Sequence, residues 1–327
     1  MMLDRSVLKG RFLYYYERLS DGEKQAYDTM LDGMLSFKEK IPCHGCTCDE
    51  LLEIYFSMKY DLPELFYVKS VTIRYRSFCP KICITMPEYR FDLESSRTML
   101  ATMESRCKVL LCNIAALSQT EREKRIHDYL VQSVTYQDPQ APYSHEAAGP
   151  LLYGIGVCEG IAKAFKFLSD RAGLRTLVVV GTSNNNGAGE AHAWNMVWLD
   201  ATTSFYHVDT TFDNTVSMGC LRYDYYNLSD EEMREDHKWD ESYPDCANSM
   251  DYYRMTGMYF GKKSALIRFL RQLPRECRHV VFRLPMFREG KESLPQYLLT
   301  LACNNIPQRR LVISSNLDRM IFQLNIE

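Results

Sequence analysis

Three segments of the sequence carry side chains that could perform nucleophilic chemistry together. Cys158 lies in the run Gly156-Val157-Cys158-Glu159-Gly160, at the expected start of a helix. His192 and Asp209 follow on two later segments that have the pattern of successive strands. In thiol-based acyl transfer a thiolate attacks a carbonyl, an imidazole moves the proton and a carboxylate fixes the tautomer of the imidazole. The order of these residues therefore predicts Cys158 as nucleophile, His192 as base and Asp209 as the orienting carboxylate.

A helix start suits the nucleophile for two reasons. An unpaired helix N-terminus, with an imidazolium nearby, lowers the pKa of a cysteine thiol. The change from loop to helix also leaves backbone N–H groups unpaired, and Gly156 is expected to let the chain turn tightly before Cys158. These donors can hold the oxyanion that forms during attack, with the N–H of Cys158 as the first of them. The second donor is not defined by the sequence, and Tyr136, just after the preceding helix, is one candidate.

Two antiparallel strands, predicted at 191–199 and 205–211, must position the other two residues. If His192 lies directly opposite Asp209, the two side chains share one face of the sheet, and a shift of two residues leaves them diagonal on that face. A one-residue slip would separate them. The predicted turn at 200–204 is compatible with both favourable registers.

Each candidate also has an ordinary structural interpretation. A cysteine in an apolar helix is usually a small core residue, a strand histidine is often a hydrogen-bonded core group, and an aspartate before Thr210 is commonly a turn or capping residue. The combination of all three favours catalysis.

Among other histidines, His207 could serve as the base, but it lies on the strand of Asp209, so the two side chains point out side by side. His145 and His127 have only loop or helix contexts.

The motifs resemble those of the transglutaminase-like superfamily, whose core is shared with papain-type cysteine proteases, and the chain looks like a bacterial member. The resemblance covers roughly residues 119–228 and implies the same three catalytic roles. The matching runs are Ile126-His127-Asp128-Tyr129-Leu130, Gly156-Val157-Cys158-Glu159-Gly160-Ile161-Ala162, His192-Ala193-Trp194-Asn195 and Val208-Asp209-Thr210-Thr211-Phe212-Asp213.

Two positions depart from the family pattern. Glu159 replaces the aromatic residue that follows the cysteine in the animal tissue enzymes, so their calcium dependence and glutamine–lysine cross-linking are not carried over. Phe212 stands where many bacterial relatives have tryptophan, which is a conservative change.

Water as the acceptor would make the protein a peptidase or amidase, and a lysine-like amine would make it a transglutaminase. We favour hydrolysis, because a cytoplasmic bacterial protein has few obvious cross-linking targets. A non-catalytic binding module of the same fold is the other alternative.

The rest of the pattern predicts an α+β protein whose nucleophile-bearing helix packs on an antiparallel sheet. A helical N-terminal extension with a small hairpin is predicted over 1–118, the papain/transglutaminase-like core over 119–261, and a small C-terminal α/β portion over 262–327. Pro and Gly in 139–157 argue against regular structure there. The acid-rich stretch 229–245 is interpreted as a solvated surface segment rather than an active-site cover.

Composition limits the partners that we expect. A net charge of −3 gives no reason to expect nucleic acid or an anionic membrane surface as a partner, and a peptide or protein substrate is expected instead. No apolar segment near the start has the form of a signal peptide, so we expect a cytoplasmic protein. No Walker A, GxGxxG or His-Glu-x-x-His pattern supports nucleotide binding or zinc-protease chemistry. The oligomeric state is not predicted.

The 12 cysteines are spread over 327 residues without a leader, so we expect reduced thiols. The cluster Cys43, Cys46 and Cys48, with Cys79 and Cys83 as partners, could form a structural zinc site. Reduced, partly exposed thiols in a loop are the preferred interpretation, because the pair Cys79 and Cys83 has looser spacing and flanks a strand start. No cofactor and no metal are therefore expected.

Overall fold

The structure, a computed structural model, describes residues 10–76, 78–137, 140–184, 189–217, 220–240, 242–285, 293–306 and 310–327. Helices and antiparallel sheets occur together throughout these residues, which confirms the predicted α+β class. In this part of the chain no helix is both long enough and apolar enough to cross a membrane. The helical position predicted for Leu8 lies outside the described residues.

Four helices and a three-stranded antiparallel sheet form the N-terminal segment. Two of the helices begin at capping boxes, Ser20 with Glu23 and Thr47 with Glu50, and the first of these was predicted from the sequence. The third strand lies between the first two in the sheet. The elements are α1 (Tyr14–Glu17), α2 (Asp21–Leu35), β1 (Ile41–His44), α3 (Cys48–Asp61), β2 (Val68–Arg76), β3 (Cys79–Tyr89) and α4 (Leu93–Leu110).

The central segment is built around a five-stranded antiparallel sheet in the order β10-β6-β7-β8-β9, with one long helix, α6, packed against β6 and β7. That helix is buried on every side from Gly160 to Ser169, and Ile161, Phe165 and Leu168 belong to the apolar core. The elements are α5 (Gln119–Ser133), β4 (Thr135–Tyr136), β5 (Ile155–Gly156), α6 (Cys158–Arg171), β6 (Arg175–Ser183), β7 (Glu190–Leu199), β8 (Ser204–Val208), α7 (Thr210–Val216), β9 (Tyr226–Leu228), α8 (Asp230–Met233) and β10 (His237–Trp239).

The C-terminal segment has its own sheet and apolar core, centred on Phe282, Leu298 and Phe322. The sheet is antiparallel in the order β11-β13-β12. The elements are α9 (Tyr252–Met255), α10 (Lys263–Arg271), β11 (His279–Arg283), α11 (Leu294–Asn305), β12 (Leu311–Asn316) and β13 (Ile321–Ile326). The mixture of helices and strands predicted for this part of the sequence is therefore present.

The N-terminal and central segments share one apolar core. Ile54 of α3 and Phe165 of α6 both belong to the largest buried cluster. A buried ion pair also joins the two segments, with the Lys59 ammonium 2.6 Å from the Glu146 carboxylate. The N-terminal segment therefore packs directly against the helix that carries the nucleophile. The predicted domain limits at residues 118 and 261 stay predictions.

Two local predictions were wrong. The strand predicted over 205–211 ends at Val208, because the Asp209 side chain caps the helix that follows. The segment 139–157 is not wholly irregular, since a π-helical turn spans Gly149–Tyr153 and the short strand β5 follows it. A proline in the first helical turn costs no internal hydrogen bond, so Pro150 is compatible with that turn.

Candidate active site

Cys158 is the first residue of α6, as predicted. The chain reaches it through β5, which pairs in parallel with β4. Val157 precedes the helix in an extended conformation, and its backbone N–H donates to the carbonyl of Ser144. No side chain caps the helix start, so backbone N–H groups of the first turn are available to a ligand. The thiol is partly exposed, which lets a substrate approach it.

Glycine is needed at position 160, one turn into this helix. A Cβ at this position would lie 2.3 Å from the backbone oxygen of Ser144, so the preceding loop crosses directly over the helix start. The tight turn was predicted at Gly156, but the glycine with the left-handed backbone conformation of such a turn is Gly154, which has a φ of 67°. Gly156 is required for space, because a Cβ there would lie 2.9 Å from the ring of Pro150.

We predict that Gly160→Ala destabilises the protein by about 1–3 kcal/mol, because the loop backbone must move away from the added methyl group. Gly22 is a matched control in α2, where a Cβ would meet nothing within 4 Å. Gly22→Ala is expected to be neutral or slightly stabilising, since alanine favours helix. Thermal unfolding of the two variants measures the difference. Equal unfolding temperatures would contradict the close packing of loop and helix.

The other two candidate residues meet across β7 and β8. The observed pairing of Asn195 with Val208 places the strands two residues out of the register in which His192 and Asp209 face each other directly. This was the second of the two favourable registers, so both side chains point to one face. The Nε2 atom of His192 lies 2.7 Å from Oδ2 of Asp209. Because Nε2 faces the carboxylate, Nδ1 is the nitrogen that is left to face Cys158, which is near enough to contribute to the raised pKa of His192.

Burial and charge set the protonation states of this pair. Burial alone would lower the pKa of His192, but the charge and hydrogen bond of Asp209, and the contact with Cys158, raise it to about 10. Burial would raise the pKa of Asp209, but its two histidine neighbours, His192 and His237, hold it well below its ordinary range. The carboxylate is therefore ionised and the imidazole is protonated at neutral pH. A protonated imidazole beside a thiol favours the reactive thiolate form of that thiol.

Asp209 is fixed by the start of the next helix. Its Oδ1 accepts the backbone N–H groups of Thr211 and Phe212, at 2.9 and 3.1 Å, while Oδ2 faces His192. The Phe212 ring lies 4.9 Å from the His192 ring, and the Trp194 ring stacks with it at 5.8 Å. These apolar rings exclude water from the histidine–carboxylate contact, which strengthens it.

His237, on the edge strand β10, was missed by the sequence analysis. Its Nε2 lies 3.1 Å from Oδ2 of Asp209, and the residue is fully buried. The solvated-surface interpretation of 229–245 is therefore wrong for this part of the segment. Alternation of His237 and Trp239 with polar neighbours is a weak strand pattern that could have indicated it.

Glu159, the residue after the nucleophile, is held by Lys163 and His145. The Lys163 ammonium lies 2.6 Å from one carboxylate oxygen, and His145 Nδ1 lies 3.3 Å from the other. Burial would raise the pKa of Glu159, but these partners lower it to about 2. The loop before the helix is therefore tied to the helix beside the thiol.

The alternative histidines have other partners. His207 accepts a hydrogen bond from Trp194 at Nδ1 and lies 2.8 Å from Asp230 through Nε2. His127 is buried with Nε2 2.9 Å from the carboxylate of Asp213. Both ring nitrogens of each histidine are thus engaged with groups other than Cys158. His192 is the histidine that the fold brings to the thiol.

Tyr136, the candidate second oxyanion donor, lies in β4 opposite Gly156. It is therefore close in the fold to the start of α6, and its side chain is 46% exposed. The neighbouring N–H of Gln137 donates to the Gly156 carbonyl. The role of Tyr136 stays a prediction.

The cysteine cluster does not gather as a set of metal ligands. Cys48 and Cys83 approach within 4.0 Å, but the Cys43 thiol contacts Thr85, and Cys79 is exposed. In the described ranges two groups of three possible ligand atoms do come together, and neither includes these cysteines. They are His192 with Asp209 and His237, and His207 with Asp230 and Cys246. In the first group the Asp209 oxygens already accept hydrogen bonds from protein groups, so a metal is not needed to satisfy them.

Residues 113–210 match the family model of the transglutaminase-like superfamily. This segment contains Cys158, His192 and Asp209, and it includes most of the sheet and the whole of α6. The predicted resemblance to this superfamily is therefore confirmed for residues 113–210. No curated protein sequence gives a significant match.

Three solved structures show a low similarity to this chain. A candidate cysteine protease from Cytophaga hutchinsonii is 10% identical with a TM-score of 0.29, covering 43% of this chain and 62% of that one. A TGase is 12% identical with a TM-score of 0.31, covering 54% and 50%. A candidate protease from Parabacteroides distasonis is 13% identical with a TM-score of 0.23, covering 42% and 36%. The chain thus spans less than two thirds of each of these structures, and such distant likeness assigns no activity.

Proposed function

We propose that the protein is a thiol-dependent hydrolase of amide bonds in peptides or proteins, with Cys158, His192 and Asp209 as its catalytic residues. One observation carries this proposal. The His192 ring is held at 2.7 Å by a buried carboxylate through Nε2, which directs its other nitrogen to a cysteine at a helix start. A nucleophile, a base and an orienting group in this order are the components of covalent acyl transfer.

The reaction follows from these positions. The Cys158 thiolate attacks the amide carbon, and the N–H of Cys158 donates to the oxyanion that forms. The protonated His192 gives its proton to the leaving amine, and a thioester remains. Neutral His192 then removes a proton from water, which attacks the thioester. The carboxylic acid leaves, and the thiolate and imidazolium are restored. Asp209 keeps its negative charge throughout and stabilises the imidazolium.

Water is the acceptor that the surroundings of the thiol favour. A lysine-like acceptor carries an ammonium group, and an acidic side chain near the thiol would be expected to bind it. Glu159 follows Cys158 directly, but its carboxylate is already paired with Lys163 at 2.6 Å. The carboxylate is therefore neutralised and is not available to hold a second cation.

Incubation with dimethylated casein and a fluorescent primary amine tests the choice of acceptor. We expect new peptide fragments or released ammonia, with fluorescence incorporation no higher than in the Cys158→Ala protein. Incorporation above that control would show amine transfer and would overturn hydrolysis as the principal reaction. If the wild-type protein releases no fragments or ammonia, incorporates no fluorescence and has a Cys158 that is slow to alkylate, a non-catalytic binding module is favoured instead.

A further inference from the structure

His237 is held between two carboxylates. Its Nε2 lies 3.1 Å from Asp209 Oδ2, and its Nδ1 lies 2.6 Å from Asp236 Oδ1. All ring atoms are buried, since the His237 side chain has no exposed surface. Asp209 Oδ2 therefore accepts from two histidines at once. The position of His237 is thus one of the constraints on the carboxylate that orients His192.

The second carboxylate is anchored by the C-terminal segment. Arg319, in the turn between β12 and β13, has an N–H 2.7 Å from Asp236 Oδ1. The Tyr225 hydroxyl donates to Asp236 Oδ2 at 2.7 Å. Burial would raise the pKa of Asp236, but His237 and Arg319 lower it. The ionised carboxylate is therefore shared between the catalytic core and the C-terminal segment.

Arg319 is unusually well enclosed for an arginine. It is 1% exposed, its guanidinium lies over the Tyr225 ring at 4.4 Å, and another N–H donates to the Glu232 carbonyl. A buried arginine with several charge-assisted bonds is costly to desolvate, so it is retained where its geometry matters. Through it the turn of the last β-hairpin reaches the side of the active site that faces away from Cys158.

The strand that carries His237 depends on such support. Strand β10 has three residues and lies at the edge of the sheet, where β6 is its one partner among the described strands. The backbones of β10 and β6 approach each other closely at Gly181, where a Cβ would lie 2.1 Å from the Lys238 carbonyl oxygen. Three backbone pairs at a sheet edge hold a strand weakly. The contacts of Arg319 with Glu232 and Asp236 fix the segment that leads into β10.

We propose that Arg319 is a positioning residue of the active site, acting through Asp236 and His237 on Asp209. The C-terminal segment thereby completes the catalytic apparatus rather than being a separate appendage. This inference rests on the proposed function of the triad. Loss of Arg319 would remove the cationic partner of Asp236 and leave its carboxylate held only by the Tyr225 hydroxyl and by His237 itself. The support that Asp236 gives to His237, and through it to Asp209, would therefore be weaker.

Arg319→Gln tests the proposal, with Arg171→Gln as a matched control. Arg171 is also a largely buried arginine that pairs with two carboxylates, but these belong to Glu64 and Glu104 rather than to Asp236. We measure the alkylation of Cys158 by peptide mass spectrometry, together with the ring resonances of ¹⁵N-labelled histidines. Arg319→Gln should slow alkylation by about 10-fold or more and shift the His192 resonances. Arg171→Gln should leave both unchanged.

A second variant keeps the test decisive if Arg319→Gln fails to fold. Asp236→Asn preserves the shape of the side chain, and it should also slow the alkylation of Cys158 and shift the His192 resonances. Unchanged alkylation and unchanged resonances in a folded Arg319→Gln or Asp236→Asn protein would overturn the positioning role. The proposed triad would still stand if Asp209→Asn slows the alkylation of Cys158. Slow alkylation of Cys158 in the wild type would instead overturn the proposed function, and the positioning role with it.

Discussion

Cys158→Ala is expected to reduce amide hydrolysis by at least about 10⁴-fold, because the covalent step has no substitute nucleophile at the start of α6. Alanine fits the first turn of a helix, and Cys158 is only partly buried, so the fold should persist. Release of fragments or ammonia from dimethylated casein measures the loss. The unfolding temperature shows whether the variant is folded.

Cys112→Ala is the control for that experiment. Cys112 is an exposed cysteine outside the transglutaminase-like site, so its removal should leave hydrolysis unchanged. A Cys158→Ala protein that retained more than about a tenth of the wild-type rate would remove Cys158 from the mechanism.

Asp209→Asn is expected to lower turnover by about 10⁴-fold while preserving the fold. The asparagine oxygen can still accept the N–H groups of Thr211 and Phe212, so α7 keeps its cap. The amide nitrogen would then face His192 Nε2, in place of the oxygen that now lies 2.7 Å away. An N–H donor there forces the imidazole to carry its proton on Nδ1, where it cannot accept one from Cys158.

Asp230→Asn provides the matched comparison for this change. Asp230 makes the same kind of contact with His207, at 2.8 Å, on the same sheet but away from the thiol. It should retain most of the activity, because His207 does not contact Cys158. Single-turnover rates of the two variants distinguish the roles. A loss of similar size in both would mean that Asp209 acts on the fold rather than on His192.

Much of the site could be predicted because its signals are local. The start of the helix that carries Cys158 is set by residues within one turn of the thiol. His192 and Asp209 stay on the same face of the sheet when the strand register shifts by two residues. The uncertainty in the register therefore did not alter the prediction. The strand end at Val208 was missed, because the Asp209 side chain competes with the ladder for the next N–H groups.

The rest of the site depends on contacts between segments that are distant in the chain. His237 reaches Asp209 only because an acid-rich segment returns to the sheet edge as β10, and Arg319 arrives from the last hairpin. Only a weak alternation marks His237, and neither residue lies at a motif spacing. The acidic and basic neighbours of His237 predict a surface position. Tertiary packing, rather than local propensity, buries them.

The most direct measurement of the proposed chemistry is the alkylation rate of Cys158 at neutral pH, with the exposed Cys112 as an internal reference in the same protein. An imidazolium beside the thiol, held by Asp209, favours the reactive thiolate. We expect Cys158 to react at least about 10-fold faster than Cys112, and this advantage should disappear in Asp209→Asn. Equal rates for the two cysteines in the wild-type protein would contradict a catalytic role for Cys158, His192 and Asp209.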